Sequence, residues 1–198
     1  LCHQPAARLP QRKITKPTMN KILALLAALA LTTSCCESKP EKRVHKLLMD
    51  RMLTLSVAES CTGGAIASRF TAMPGASAYF KGGAVAYWNQ TKSLLLNVSA
   101  DTIARYGVVS EQVVRQMAEG ARRAADTHYA IATTGMAGPS GGTPEIPVGT
   151  VWIAVSSPEH TLTRLVHIKG NRNRVIREAG SAAIELLEEE LTAGNRTK

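Results

Sequence analysis

The chain has 198 residues, 44% of them hydrophobic, 20% charged and only 4% aromatic. That balance fits one globular core built from Ala, Val, Ile and Leu, and it excludes a repeat array or a disordered protein. The net charge of +9 is unevenly spread: residues 1–44 hold eight Lys/Arg and two Asp/Glu, leaving 16 basic and 13 acidic residues beyond them. With the domain only mildly basic and no basic stripe interleaved with aromatics, nucleic-acid binding is not expected.

Residues 1–43 read as a leader, outside the fold. Lys21 gives a positive start and Ile22–Leu31 an apolar run, too short for the roughly 20 residues that span a bilayer and suited to a signal peptide. Thr33-Ser34-Cys35 resembles a bacterial lipoprotein cleavage site, although Thr32 stands where Leu is usual. On that reading the segment from Met19 to Cys35 directs export, and a membrane is a partner only if Cys35 is lipidated. The other reading is an extension before a cytoplasmic domain, with Met19 as the start. Of Cys2, Cys35, Cys36 and Cys61 only the last falls in the domain, so neither a disulfide framework nor a zinc site is expected.

The domain is expected over 44–192, with a tail over 193–198. Val44–Met52 has helical spacing, and Leu53–Ala58 alternates as a strand. Glu59–Gly64 is a turn, and Ala65–Met73 a helix stopped by Pro74-Gly75. Phe80–Trp88 reads as a second strand, Thr91–Leu96 and Ala100–Tyr106 as short helices. Ser110 should cap a long amphipathic helix, Glu111–Asp126, with Glu111 and Glu119 exposed. Tyr129–Thr133 is a buried strand. Gly135–Gly149, with five glycines and three prolines, is a shaped loop. Val151–Ser156 and Leu162–Ile168 form a hairpin around Ser157–His160, and Asn171–Leu191 is a closing helix. The alternation predicts an α/β fold, a three-layer α/β/α sandwich whose terminal hairpin makes the sheet mixed.

Four constellations could carry chemistry. The first is Glu59-Ser60-Cys61-Thr62-Gly63-Gly64, a strand-to-helix turn. Such a turn can hold a nucleophilic hydroxyl beside unpaired N–H donors, and Ser60 as a simple helix cap is the competing reading. The second is Tyr87 to Lys92. Serine needs a base, and a lysine whose pKa is lowered by burial can serve, with Tyr87 relaying the proton or positioning the lysine. A strand-end aromatic and a solvated lysine is the plainer alternative. The third is Thr134, Gly135 and Gly138 in a glycine-rich loop that suits a phosphate or carboxylate but lacks the ending of a P-loop. The fourth is Arg172 at a helix start, placed to grip a phosphate or to sit in solvent.

Ala58–Gly64 (AESCTGG), Tyr87–Lys92 (YWNQTK), Gly107–Ser110 (GVVS), Thr134–Pro139 (TGMAGP), Gly141–Glu145 (GGTPE) and Pro147–Trp152 (PVGTVW) occur in that order. Together they resemble the CinA C-terminal domain family, the competence/damage-inducible proteins, whose characterised members are nicotinamide-nucleotide amidohydrolases. The resemblance covers about Val44–Leu191. It implies hydrolysis of nicotinamide mononucleotide to nicotinate mononucleotide and ammonia, without metal or cofactor, by a Ser–Lys–Tyr set of Ser60, Lys92 and Tyr87. Glu59, Cys61, Thr62, Gly63, Gly64, Thr134, Gly135, Gly138 and Arg172 would bind substrate, with backbone N–H groups near Cys61–Gly63 holding the oxyanion. It further implies a stand-alone form without a pyrophosphatase domain, a cytoplasmic location and a homo-oligomer. Trp88, Met136 and Asn171 depart from the family's usual residues. Cys61 as the nucleophile, a domain that binds a pyridine nucleotide without turnover as a sensor, and a surface lipoprotein domain with a drifted pocket are the alternatives.

Overall fold

The computed structural model describes residues 39–193; residues 1–38 of the expected leader and 194–198 of the tail lie outside the described residues, while 40–43, expected in the leader, belong to the first helix. Twelve segments follow in chain order: α1 (Pro40–Asp50), β1 (Leu55–Glu59), α2 (Ala65–Thr71), a 3₁₀ turn (Ala76–Ala78), β2 (Phe80–Val85), α3 (Asn89–Leu96), α4 (Ala100–Tyr106), α5 (Glu111–Ala125), β3 (Tyr129–Gly135), β4 (Thr150–Ser156), β5 (Thr161–His167) and α6 (Arg172–Ala193). The strands form one sheet in the order β2-β1-β3-β4-β5. β1 runs parallel to β2 and β3, whereas β4 is antiparallel to both β3 and β5. The sheet is mixed, as the hairpin predicts.

Strand alternation sorts the core into two layers. Leu55, Val57, Ile131, Val151, Ile153 and Val155 point to the face covered by α1, α2 and α6, together with Ile66, Phe70 and Ile184. Ala58, Ala130, Ala132 and Ala154 point to the other face, under α5 with Val113, Val114 and Met117. The small residues on that second face let α5 lie close to the sheet. Close approach continues between helices: a Cβ on Gly120 of α5 would stand 1.8 Å from the Leu96 carbonyl oxygen at the end of α3.

Several element ends differ from expectation, each for a local reason. α1 starts at Pro40, earlier than Val44, because proline suits a first helical position and Glu41 is held by an ion pair with Arg69. Met52 leaves that helix in the left-handed region, with φ of 54°. β2 stops at Val85 rather than Trp88, since Asn89 opens α3 with Trp88 as its N-cap. β3 runs on to Gly135 because Thr134 and Gly135 pair with Trp152 and Val151. Ser110 caps α5 as expected, accepting from the Val113 N–H. Glu111 and Glu119 are only half-exposed, however, because they accept hydrogen bonds from Thr163 and Thr161 of β5. Among the described residues no helix is long and apolar enough to cross a membrane.

Candidate active site

The parallel strands β1, β2 and β3 end at the same edge of the sheet, the edge at which open α/β sheets carry their sites. Ser60 follows β1, Tyr87 and Lys92 follow β2, and Thr134 lies at the end of β3. A cavity of about 250 Å³ opens there, lined by Ser60, Lys92, Thr134, Gly138 and Arg172 among others. A larger cavity of about 540 Å³ lies between α1, α2 and α6, around an Arg69 already paired with Glu41 and Ser181, away from Ser60.

The centre of the site is Lys92, whose side chain is fully buried. Its Nζ lies 3.1 Å from Ser60 Oγ, 2.7 Å from the Ala86 carbonyl oxygen and 3.3 Å from the Tyr87 carbonyl oxygen. A neutral amine has two N–H donors and one lone pair. Protonated, Lys92 donates to all three oxygens; once neutral, with the carbonyls taking its two donors, it turns its lone pair to the serine hydroxyl. Burial favours that neutral form and pushes the Lys92 pKa down to about 8. The protein thus holds a buried amine of lowered pKa against the Ser60 hydroxyl, 32 residues apart in sequence.

The turn that presents Ser60 is held by its neighbour. Glu59 is fully buried, and its carboxylate accepts from the N–H groups of Gly64, Ile66 and Ala67, satisfying the first turn of α2. Ser60 makes no capping bond, so the competing reading of it as a helix cap fails. The same arrangement removes those N–H groups as donors for an oxyanion, and the Gly63 N–H is also taken, by the Ser60 carbonyl. Among the described residues the N–H groups of Cys61 and Thr62 donate to no backbone carbonyl in the turn.

Cys61 also lines the cavity, but the residue is only 5% exposed and burial pushes its thiol pKa up to about 12. A thiol so poorly ionised is a weak nucleophile, which disfavours the cysteine alternative. At the opposite wall Arg172 donates to the Gly138 carbonyl at 2.7 Å and to Tyr87 Oη at 2.8 Å. It thereby ties α6, the glycine loop and the β2–α3 corner together. Thr134 Oγ1 donates to the Val108 carbonyl, fixing the loop before α5. The cavity lining contains two cationic side chains and no carboxylate. Among the described residues no group of three or more His, Cys, Asp or Glu is placed to hold a metal.

The family model of the CinA C-terminal domain matches residues 37–191. The chain belongs to that family. A CinA-like protein of Syntrophus aciditrophicus is 45% identical over 166 residues, which is 83% of this chain and 40% of that protein. A CinA-like protein of Thermotoga maritima is 43% identical over 160 residues, 81% of this chain and 39% of that protein. The chain therefore spans about two fifths of the length of these curated relatives. A crystal structure of a CinA superfamily protein from Klebsiella pneumoniae matches with a TM-score of 0.75 and 34% identity, over 78% of this chain and 96% of that one. The competence/damage-inducible protein CihA of Agrobacterium tumefaciens matches with a TM-score of 0.73 and 34% identity, over 81% and 99% of the two chains. The α/β sandwich with its mixed sheet is thus the CinA fold.

Within this CinA domain, the expected residues Ser60, Cys61, Tyr87, Lys92, Thr134, Gly135, Gly138 and Arg172 converge on one cavity. Glu59, Thr62, Gly63 and Gly64, expected beside substrate, do not line it. Glu59 serves α2, and Thr62 Oγ1 pairs with Thr133 Oγ1 in the interior. Gly63 and Gly64 are required by backbone shape, with φ of 61° and 98°. Tyr87, expected to relay a proton or to position the lysine, points its hydroxyl to Arg172 and meets Lys92 through its carbonyl. Asn89, Val108, Val109, Met136, Ala137 and Ser140 complete the lining. The quoted CinA motifs contained most of these six, but nothing in their own chemistry singled them out.

Proposed function

We propose that this domain hydrolyses the carboxamide of nicotinamide mononucleotide, releasing ammonia and nicotinate mononucleotide, through an acyl-enzyme on Ser60. The observation that carries the reading is the buried Lys92 amine, aligned on Ser60 Oγ by two carbonyl acceptors. In the first half-reaction Ser60 Oγ attacks the carboxamide carbon while its proton passes to Lys92 Nζ. The N–H groups of Cys61 and Thr62 are the donors available to the developing oxyanion. As the C–N bond breaks, the lysinium returns its proton to the leaving nitrogen, and ammonia departs. Water, losing a proton to Lys92, then cleaves the ester to give the carboxylate and free Ser60. Tyr87 is a positioning residue here, holding Arg172 at the rim, where the guanidinium can meet the substrate's phosphate. The Arg172 guanidinium, in a lining without carboxylates, favours an anionic substrate.

Replacing Ser60 with alanine tests the reading, with ammonia release from nicotinamide mononucleotide as the assay. The variant should lose about 10³-fold or more in kcat while its unfolding transition stays in place. Near-complete retention of deamidation by Ser60→Ala removes the serine from the mechanism. Binding of the mononucleotide without any ammonia release by the unaltered chain would favour the sensor alternative.

A further inference from the structure

The crevice between α1, α2 and α6 has about 540 Å³, more than twice the 250 Å³ of the catalytic cavity and within the range of about 300–1,000 Å³ usual for small-molecule sites. None of its lining residues belongs to the catalytic cavity. At its centre is Arg69, whose side chain is 23% exposed. Glu41 of α1 lies 2.5 Å from Arg69 Nη2, and Ser181 of α6 lies 3.1 Å from Nη1. Those two acceptors fix a guanidinium that carries five N–H donors. Nε bonds neither of them. Among the described residues no buried side-chain nitrogen is left without a partner, so solvent reaches Nε from the space that Arg69 lines.

The other charges of the lining are Lys39 and Arg177, both exposed. Among the described residues neither side chain makes a hydrogen bond or a close ion pair, and Lys39 acts on Glu41 only at longer range. The Glu41 carboxylate is buried and already engaged by Arg69. The lining therefore has a net charge of +2, with spare donors and no free carboxylate. Pro40, Ala65 and Ile176 give it apolar wall, and Ser68 and Ser181 give it hydroxyls.

We propose that this crevice is a second, non-catalytic binding site, for a sugar phosphate monoester. Such a group carries a charge of about −1.5 to −2 near pH 7 and three acceptor oxygens, which matches the lining where a single carboxylate would leave one cation unpaired. Arg69 is held in position before the ligand arrives, and Lys39 and Arg177 close on the phosphate from α1 and α6. The sugar lies against the apolar wall with its hydroxyls towards Ser68 and Ser181. Two free cations suit one phosphate and are too few for a nucleic-acid backbone. The site requires no turnover, so it stands or falls independently of the amidase reading.

Calorimetry on the full chain in phosphate-free buffer tests it, with ribose 5-phosphate as the probe. The Arg172→Gln variant removes the phosphate grip of the catalytic cavity. In that variant ribose 5-phosphate should still bind saturably, with a Kd below about 1 mM. Adding Lys39→Gln and Arg177→Gln, two exposed positions whose change spares the core, should weaken it about tenfold or more, because both charge-assisted contacts are lost. Arg69 is left in place, since its loss would strand the buried Glu41 carboxylate. Binding that disappears in Arg172→Gln overturns the proposal by assigning the phosphate to the catalytic cavity alone. No saturation up to about 10 mM in Arg172→Gln overturns it too, as does undiminished binding after the Lys39 and Arg177 changes. Ribose binding as tightly as its phosphate refutes an anion site. Inorganic phosphate binding as tightly as the ester refutes the ester class and leaves a site for the free ion.

Discussion

Lys92 gives the sharpest prediction, because the proposed role as base requires it to be neutral. With a pKa of about 8, only about a tenth of the molecules carry neutral Lys92 at pH 7, and nearly all do by pH 9.5. The kcat/KM for amide hydrolysis should therefore rise about tenfold from pH 7 and level off above pH 9. A lysine at its ordinary value of 10.5 would instead keep gaining tenfold per pH unit beyond pH 9. The same shift has a stability consequence. Because the folded-state pKa is below the unfolded one, charging Lys92 in the fold carries a penalty that is full below pH 8. The penalty fades as pH rises from about 8 towards 10.5, where the unfolded chain holds the extra proton. Relative to Lys92→Met, the native chain should gain about 2 kcal/mol between pH 7 and pH 10, measured by denaturant unfolding across pH. A flat kcat/KM profile from pH 7 to 9, together with parallel stability curves for the two proteins, would refute the assignment of Lys92 as a buried neutral base.

Cys61→Ala should keep kcat within about threefold, because a buried thiol that does not ionise contributes no nucleophile; an ammonia assay reads it directly. Glu59→Gln leaves three N–H groups of α2 sharing one carbonyl oxygen. It should cost about 2–4 kcal/mol in chemical denaturation, since each poorly paired buried donor carries a penalty. In Gly120→Ala the new Cβ meets the Leu96 carbonyl, backbone against backbone. It should lose about 3 kcal/mol or more, near 10 °C in Tm by calorimetry, and reduce kcat by displacing the helix that carries Lys92.

The turn motif placed Ser60 at a sheet edge, and the strand and helix order placed Lys92 at the same edge, so the meeting of the two side chains was readable before any coordinates. Glu59 was not. Several polar groups stand near the start of α2, and which one satisfies its N–H groups depends on the direction in which the chain leaves β1. Thr62 likewise was expected at the site from the family resemblance, yet the turn after β1 directs its hydroxyl to Thr133. Arg172 and Tyr87 were each legible as candidates. Their mutual bond joins residues 85 positions apart and has no local signature.

Periodicity by itself determined the class of this protein. Apolar spacing of 2 and 3.6 residues specifies strands and helices locally, and two strands joined by a short turn must run antiparallel. What the tertiary structure alone decided is the state of Lys92. A pKa reflects how much solvent and charge surround an amine. That surrounding is assembled from the β1 turn, the Ala86 and Tyr87 carbonyls and the packed α3 helix only when the sheet closes.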